Sequence, residues 1–198
     1  MKAEAWQVVT GGNAESILSL DDVKAHLRVS GSEEDSLIAS YIQAAADRCG
    51  AYLGRSLATQ TVDVFFCGFP SGRCALELPL PPLQSVVWVK YTLADGSVVT
   101  LDPGVYQVVT ATEPGMLVLA AGGQWPAVAL GPALPVTVRM VAGYMSMPDA
   151  LKQAMRWEVG QMFELREGVV DAGTRAPQVV PRAVQFSLDM VGRFLYRF

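Results

Sequence analysis

The side chains that could do chemistry in this sequence are few, and their spacing limits what they could do. His26 is the only histidine among 198 residues. A Ser-His-Asp or Cys-His arrangement therefore has one possible base, and any metal site needing two imidazoles is excluded. Cys49, Cys67 and Cys74 are odd in number and contain no C-x-x-C pair. Cys67 and Cys74 could meet across a hairpin, but in a chain made in the cytosol all three read as buried free thiols. The acidic groups are Asp21-Asp22, Glu33-Glu34-Asp35, and Glu164 with Glu167 around Arg166. The first two lie where helices should begin, so capping and the helix dipole account for them without a reaction; the third reads as a solvated cluster at a helix end. Phosphate-binding loops, dinucleotide fingerprints and a nucleophile elbow are all missing. The expectation is a protein that is not an enzyme, with no catalytic residue, no metal and no cofactor.

Composition points the same way. Half of the residues (51%) are apolar and 17% are charged, so the chain should fold, and its positive mean hydropathy leaves apolar surface to bury against partners. The net charge of −4 gives no basic field for nucleic acid. Charge is uneven, however. Residues 1–60 hold five basic and eight acidic side chains, whereas the last seventeen hold Arg182, Arg193 and Arg197 against Asp189. No apolar run approaches the roughly 20 residues of a membrane span, and residues 1–10 lack a basic flank and an apolar signal core, so no membrane is expected and synthesis should be cytosolic.

The elements that would carry these residues follow from periodicity. Ser19 precedes "LDDVKAHLRV" as the cap of a short helix that Gly31 should end. Ser32 should cap a second helix, in which Leu37, Ile38, Tyr41, Ile42, Ala45, Cys49, Tyr52 and Leu53 form one stripe and Gly54 the C-terminal stop. After Arg55 the period changes to two. "TQTVDVFF", "CALELPL", "SVVWVKYTL" with an Ala94-Asp95-Gly96 turn into "SVVTL", "GVYQVV", "GMLVLA" and "LPVTVRMVAGY" give six or seven short strands between Thr59 and about Tyr144. Pro79, Pro81 and Pro82 belong at a strand end or a connection. Pro148 opens a third helix with Leu151, Ala154, Met155, Val159 and Met162 on its buried stripe, and Pro181 opens a last helix or helix plus tail.

The predicted fold class is therefore α+β: a helical core of two N-terminal and two C-terminal helices with an inserted antiparallel β-rich region. The chain divides into an N-terminal arm (1–18), N-terminal helices (19–57), a β-rich insertion (58–146), and C-terminal helices with a tail (147–198). The outer helices can meet only if the insertion returns to where it left.

The last segment carries the candidate interaction site. Read as a helix, Val184, Leu188, Val191 and Leu195 form one stripe and Phe186, Met190, Phe194 and Phe198 another. Arginines alternate with aromatics in "GRFLYRF", the composition of interface hot spots.

"SLDDVKAHLRV", "EEDSLIASYIQAAADRCGAYLGRSL", "LPLPPLQSV" followed by "LADGS", "VRMVAGY" and "MPDALKQAMRWEVGQMFELRE", in this order from about Ser19 to Glu167, resemble the head-tail connector (adaptor) proteins of tailed bacteriophages and gene-transfer agents. The resemblance implies a virion neck protein, made in the host cytoplasm, that forms a twelve-fold homo-oligomeric ring under the portal protein. It would join the capsid to the next connector or tail-terminator protein and continue the DNA channel, touching passing DNA only transiently and non-specifically. It supplies no catalytic residues. The C-terminal "MVGRFLYRF" departs from many relatives, so portal binding by Met190, Arg193, Phe194, Leu195, Tyr196, Arg197 and Phe198 is inferred from the residues alone. The alternatives are another tail-completion or baseplate protein, or a small-ligand-binding domain with a pocket near Trp88, Tyr106 and Trp125.

Overall fold

The computed structural model describes residues 1–71, 75–129, 133–164 and 189. Within them lie three helices and eight strands, all pairing antiparallel, an α+β protein. The fourth predicted helix falls outside the described residues. Two compact units share the chain: Met1–Gly12 with Thr59–Tyr144, and Asn13–Ala58 with the residues from Met145 onward.

The helical unit contains α1 (Leu20–Leu27), α2 (Asp35–Leu53) and α3 (Asp149–Glu164). Ser19 caps α1 as its sequence implies, its hydroxyl accepting from the Asp22 amide at 3.2 Å. The end of α1 comes earlier than Gly31: Arg28 turns left-handed with φ 58. Ser32 does not cap α2, because the residue before the helix is Glu34, whose side chain makes no capping bond. Ser32 instead accepts the Asp35 amide through its backbone carbonyl, and Lys24 joins the two helices by donating to Asp35 and to the Gly31 carbonyl, both at 2.5 Å. Gly54 terminates α2 with φ 64, its amide reaching Ala51 and the Arg55 amide reaching Gly50, the left-handed stop its glycine suggested.

The buried stripe of α2 is Ile38, Ile42, Ala45, Ala46, Cys49 and Leu53; that of α3 is Leu151, Ala154, Met155, Glu158 and Val159. Each fully buried Ile or Leu contributes about 1.5–3 kcal/mol relative to exposure. Tyr52, expected on the stripe, is 45% exposed.

The other unit is built on two sheets. A five-stranded sheet has the order β1-β2-β8-β4-β5, with β1 Ala5–Thr10, β2 Gln60–Phe66, β4 Leu83–Thr92, β5 Val98–Thr100 and β8 Val136–Ala142. A three-stranded sheet has the order β3-β7-β6, with β3 Leu76–Leu78, β6 Tyr106–Val109 and β7 Gly115–Leu119. β4 and β5 are the two strands joined by the Asp95-Gly96 turn, and the 79–82 prolines fall between β3 and β4. β1 lies in the segment read as an arm and was not assigned as a strand from the sequence.

Alternation along β2 and β8 puts Val62, Val64 and Phe66 with Val136, Val138, Met140 and Ala142 on the inner face, in one buried cluster with Leu76, Leu78 and Leu117 of the small sheet. β7 approaches this cluster so closely that a Cβ on Gly115 would stand 2.6 Å from the Leu83 Cβ. The absent side chain is what allows that approach. Gly115→Ala is therefore expected to destabilise this unit by about 1–2 kcal/mol through overpacking, read as an earlier urea midpoint with an unchanged slope.

The ends of the β segment do return to one place. Gln60 pairs with Ala142 across β2 and β8, and the Gln84 amide donates both to the Thr59 hydroxyl at 2.9 Å and to the Gly143 carbonyl at 2.8 Å.

Candidate functional site

Catalytic geometry is not what the described residues offer. His26 is exposed on α1, and no group of three or more His, Cys, Asp or Glu side chains could hold a metal among the described residues. Cys49 is buried and its thiol is pushed up to about 12, first by burial and then by the nearby Glu158 carboxylate, so it is held protonated and unreactive. Cys67 is exposed rather than buried as expected; Cys74 lies outside the described residues. Of the acidic cluster around Arg166, only Glu164 is described, and it is exposed.

Among the described residues, the three aromatics that could have lined a ligand pocket lie on different faces of the β unit. Trp125 stacks on Phe69 with centroids 4.9 Å apart, and Phe69 meets Tyr91 edge-on at 5.8 Å, so this loop is packed onto the core. Tyr106 is packed against the same core at the start of β6. Trp88 sits on the other face of the large sheet, with Lys90 Nζ 4.5 Å and Arg139 Cζ 4.7 Å from its ring centroid. Asp63 accepts two hydrogen bonds from Arg139, at 2.7 and 2.8 Å, which fixes the guanidinium over the indole. Two register shifts in β4 accompany this. Leu83, Val86 and Val89 face Ala142, Met140 and Val138 on the inner side while Trp88 faces Arg139; the shifts between Leu83 and Ser85 and between Val86 and Trp88 offset each other, so Trp88 lies outward, as alternation from Leu83 places it. A depression beside β6 and β7, lined by Gln107, Val118 and residues 119–123, includes none of the three aromatics.

The feature that sequence reasoning missed is a buried ion pair. Glu158 is 2% exposed on the inner face of α3 and pairs with Arg48 of α2. Burial raises its carboxyl above the usual range, and Arg48 opposes that shift. The signal was legible: Glu158 occupies a stripe position between Met155 and Val159, where a carboxylate must be paired.

The candidate portal-binding residues Met190, Arg193, Phe194, Leu195, Tyr196, Arg197 and Phe198 lie outside the described residues. The residue just before them does not. Asp189 accepts a hydrogen bond from the Tyr52 hydroxyl at 2.5 Å. The exposed Tyr52 at the end of α2 thus holds the chain at the point where the tail segment begins.

With this arrangement established, the chain can be set beside known proteins. Residues 17–84 match the phage gp6-like head-tail connector protein family. The match takes in α1, α2, β2, β3 and the start of β4, about a third of the chain. Likeness in three dimensions covers more of the chain. A chain in the neck of an empty gene transfer agent particle, determined with C6 symmetry, superposes with a TM-score of 0.73 at 19% identity, covering 94% of both chains. A chain in the neck of a native gene transfer agent particle, determined with C12 symmetry, gives 0.72 at 19% identity over 94% of this chain and 93% of that one. A chain of the virion of a native gene transfer agent particle gives 0.71 at 22% identity over 93% of each. At these identities the likeness is one of fold. No curated protein matches.

Proposed function

We infer that this protein is a structural head-tail connector: it forms a ring in the virion neck, joins the portal-bearing capsid to the tail, and continues the DNA channel. The observation that carries the reading is the coincidence of two likenesses, a head-tail connector family match over residues 17–84 and, over 94% of the chain, the fold of a chain in the neck of a gene transfer agent particle.

The finer reading concerns partners. The neck structures of matching fold were determined with six-fold and twelve-fold symmetry, which supports a ring, here taken as twelve-fold. The portal protein is the upper partner, through residues 190–198, and the next connector or tail-terminator protein the lower one. Ring symmetry multiplies a modest contact into a stable junction. A net charge of −4 suits a channel that passes DNA without gripping it.

The test is electron microscopy of the purified protein mixed with the portal encoded in the same genome. A second ring stacked on the narrow end of the portal is the expected result. Bare portals beside free monomers would overturn the connector reading in favour of a later-joining tail protein.

A further inference from the structure

We propose that the outer edge of β1 is a pairing surface for a second copy of this chain, related by a two-fold axis through Gln7. β1 is an end strand of the five-stranded sheet and all six of its residues are exposed. An end strand presents a row of backbone N–H and C=O groups turned away from its sheet, and proteins protect such edges with lysine, proline or burial. "AWQVVT" contains no charge and no proline.

The side chains favour a particular occupant. Trp6 and Val8 stand in register with Val64 and Val62, so they share the face of the buried core, yet they are 50% and 38% exposed. Among the described residues, the core layer runs out from under the sheet and ends uncovered at its rim. In an antiparallel β1–β1 pair centred on Gln7, Trp6 of each strand lies opposite Val8 of the other. Those are two aromatic-on-β-branched pairs of the kind that stabilises a sheet, and they extend the core layer. Gln7 meets Gln7 on the opposite face, and no charge meets its like. The register shift after Val8 confines regular pairing to the Trp6–Val8 centre, so the contact is short and reversible.

A sheet continued from one ring neighbour to the next is a poorer occupant of this edge. The other end strand of the same sheet is β5, and four twist steps of roughly 20–25° turn β5 by about 80–100° from β1. Neighbours in a C12 assembly are rotated by about 30°, too little to bring β5 of one copy alongside β1 of the next. A two-fold pair needs no such match, because each strand meets its own copy. A ring of one sense has no two-fold axis between neighbours, so the pair belongs to the free protein and is independent of the connector reading.

Light scattering across a dilution series is the test. The intact protein should show a monomer–dimer equilibrium, and Val8→Lys, which sets a charge opposite Trp6 of the other strand, should raise the dimer Kd by ~10-fold or more. Gln7→Cys, in a background carrying Cys67→Ser and Cys74→Ser, keeps the exposed strand intact and should give a disulfide-linked dimer on mild oxidation. A monomer at every concentration would overturn the proposal, as would a dimer that Val8→Lys leaves unchanged or that Gln7→Cys fails to link. Portal binding lost in Val8→Lys while the parent protein is monomeric would assign the edge to a different partner.

Discussion

Deleting residues 190–198 should abolish binding to the portal while leaving the helical and β units folded. The removed segment contains Met190, Phe194, Leu195, Tyr196 and Phe198 with Arg193 and Arg197, and Asp189, where Tyr52 holds the chain, is retained. Truncating a single hot-spot aromatic commonly costs 2 kcal/mol or more of binding, so losing several at once exceeds what a modest docking contact supplies per subunit. Repetition around a ring sharpens the outcome, since each weakened site also lowers the effective concentration at its neighbours. The measurement is co-sedimentation of portal with the truncated protein, alongside circular dichroism. Retained binding with unchanged helicity would remove the tail from the interface and shift attention to the exposed faces of α1 and α3.

The second large effect lies in the Arg48–Glu158 pair. Arg48→Ala is expected to destabilise the helical unit by about 2–3 kcal/mol, because it leaves a carboxylate in the interior with no counter-charge. The figure is set below that of a fully buried pair because the Arg48 side chain is 43% exposed and its attraction is screened by water. Glu158→Gln, which removes the charge and keeps the shape, should be near neutral. The pH dependence has a definite sign. Burial raises the Glu158 pKa above the value it has in the unfolded chain, so the folded state keeps this proton where the unfolded state has lost it. Its contribution to stability is complete below the unfolded value and declines as pH rises through the raised one. Mild acidification from neutrality should therefore reduce the penalty of Arg48→Ala, and Glu158→Gln should lack this dependence. Urea titrations of the three proteins at pH 5 and 7 would show it; a penalty in Arg48→Ala that grows on acidification would contradict the assignment.

Much of the fold could be read from spacing alone, and the failures have specific causes. The α2 stripe and Gly54 stop, the Asp95-Gly96 hairpin, the prolines between β3 and β4, and the α3 stripe all follow from local rules that tertiary structure does not override here. β1 escaped because an edge strand exposed along its whole length shows no alternation of burial to select for in sequence. Trp88 lies outward where alternation from Leu83 places it, and the two offsetting register shifts of β4 leave no mark in "LQSVVWVK". Ser32 failed as a cap because a turn intervenes before Asp35. Chemistry was legible mainly through its scarcity: one histidine and three cysteines without a C-x-x-C pair left little to assemble. Glu158 was the exception, a polar residue on an apolar stripe that spacing could have singled out.

The pairing of Gln60 with Ala142 bears on how the helical unit comes together at all. Leu53, the last residue of α2, and Asp149, the first of α3, are far apart in the chain, yet Arg48 and Glu158 must meet. Once β2 and β8 are joined, the flexible stretch between these helices shrinks from nearly a hundred residues to about a dozen. By the logarithmic cost of closing a loop, that shortening is worth about 2 kcal/mol. The strand pair thus acts as a clasp for the search: the β segment, long in sequence, behaves as a short hinge once zipped, and helix docking becomes a nearly local event. Slow folding of such a chain would then be set by formation of the β2–β8 pair, and a circularly permuted chain opened within that pair should lose the advantage and dock α2 on α3 more slowly.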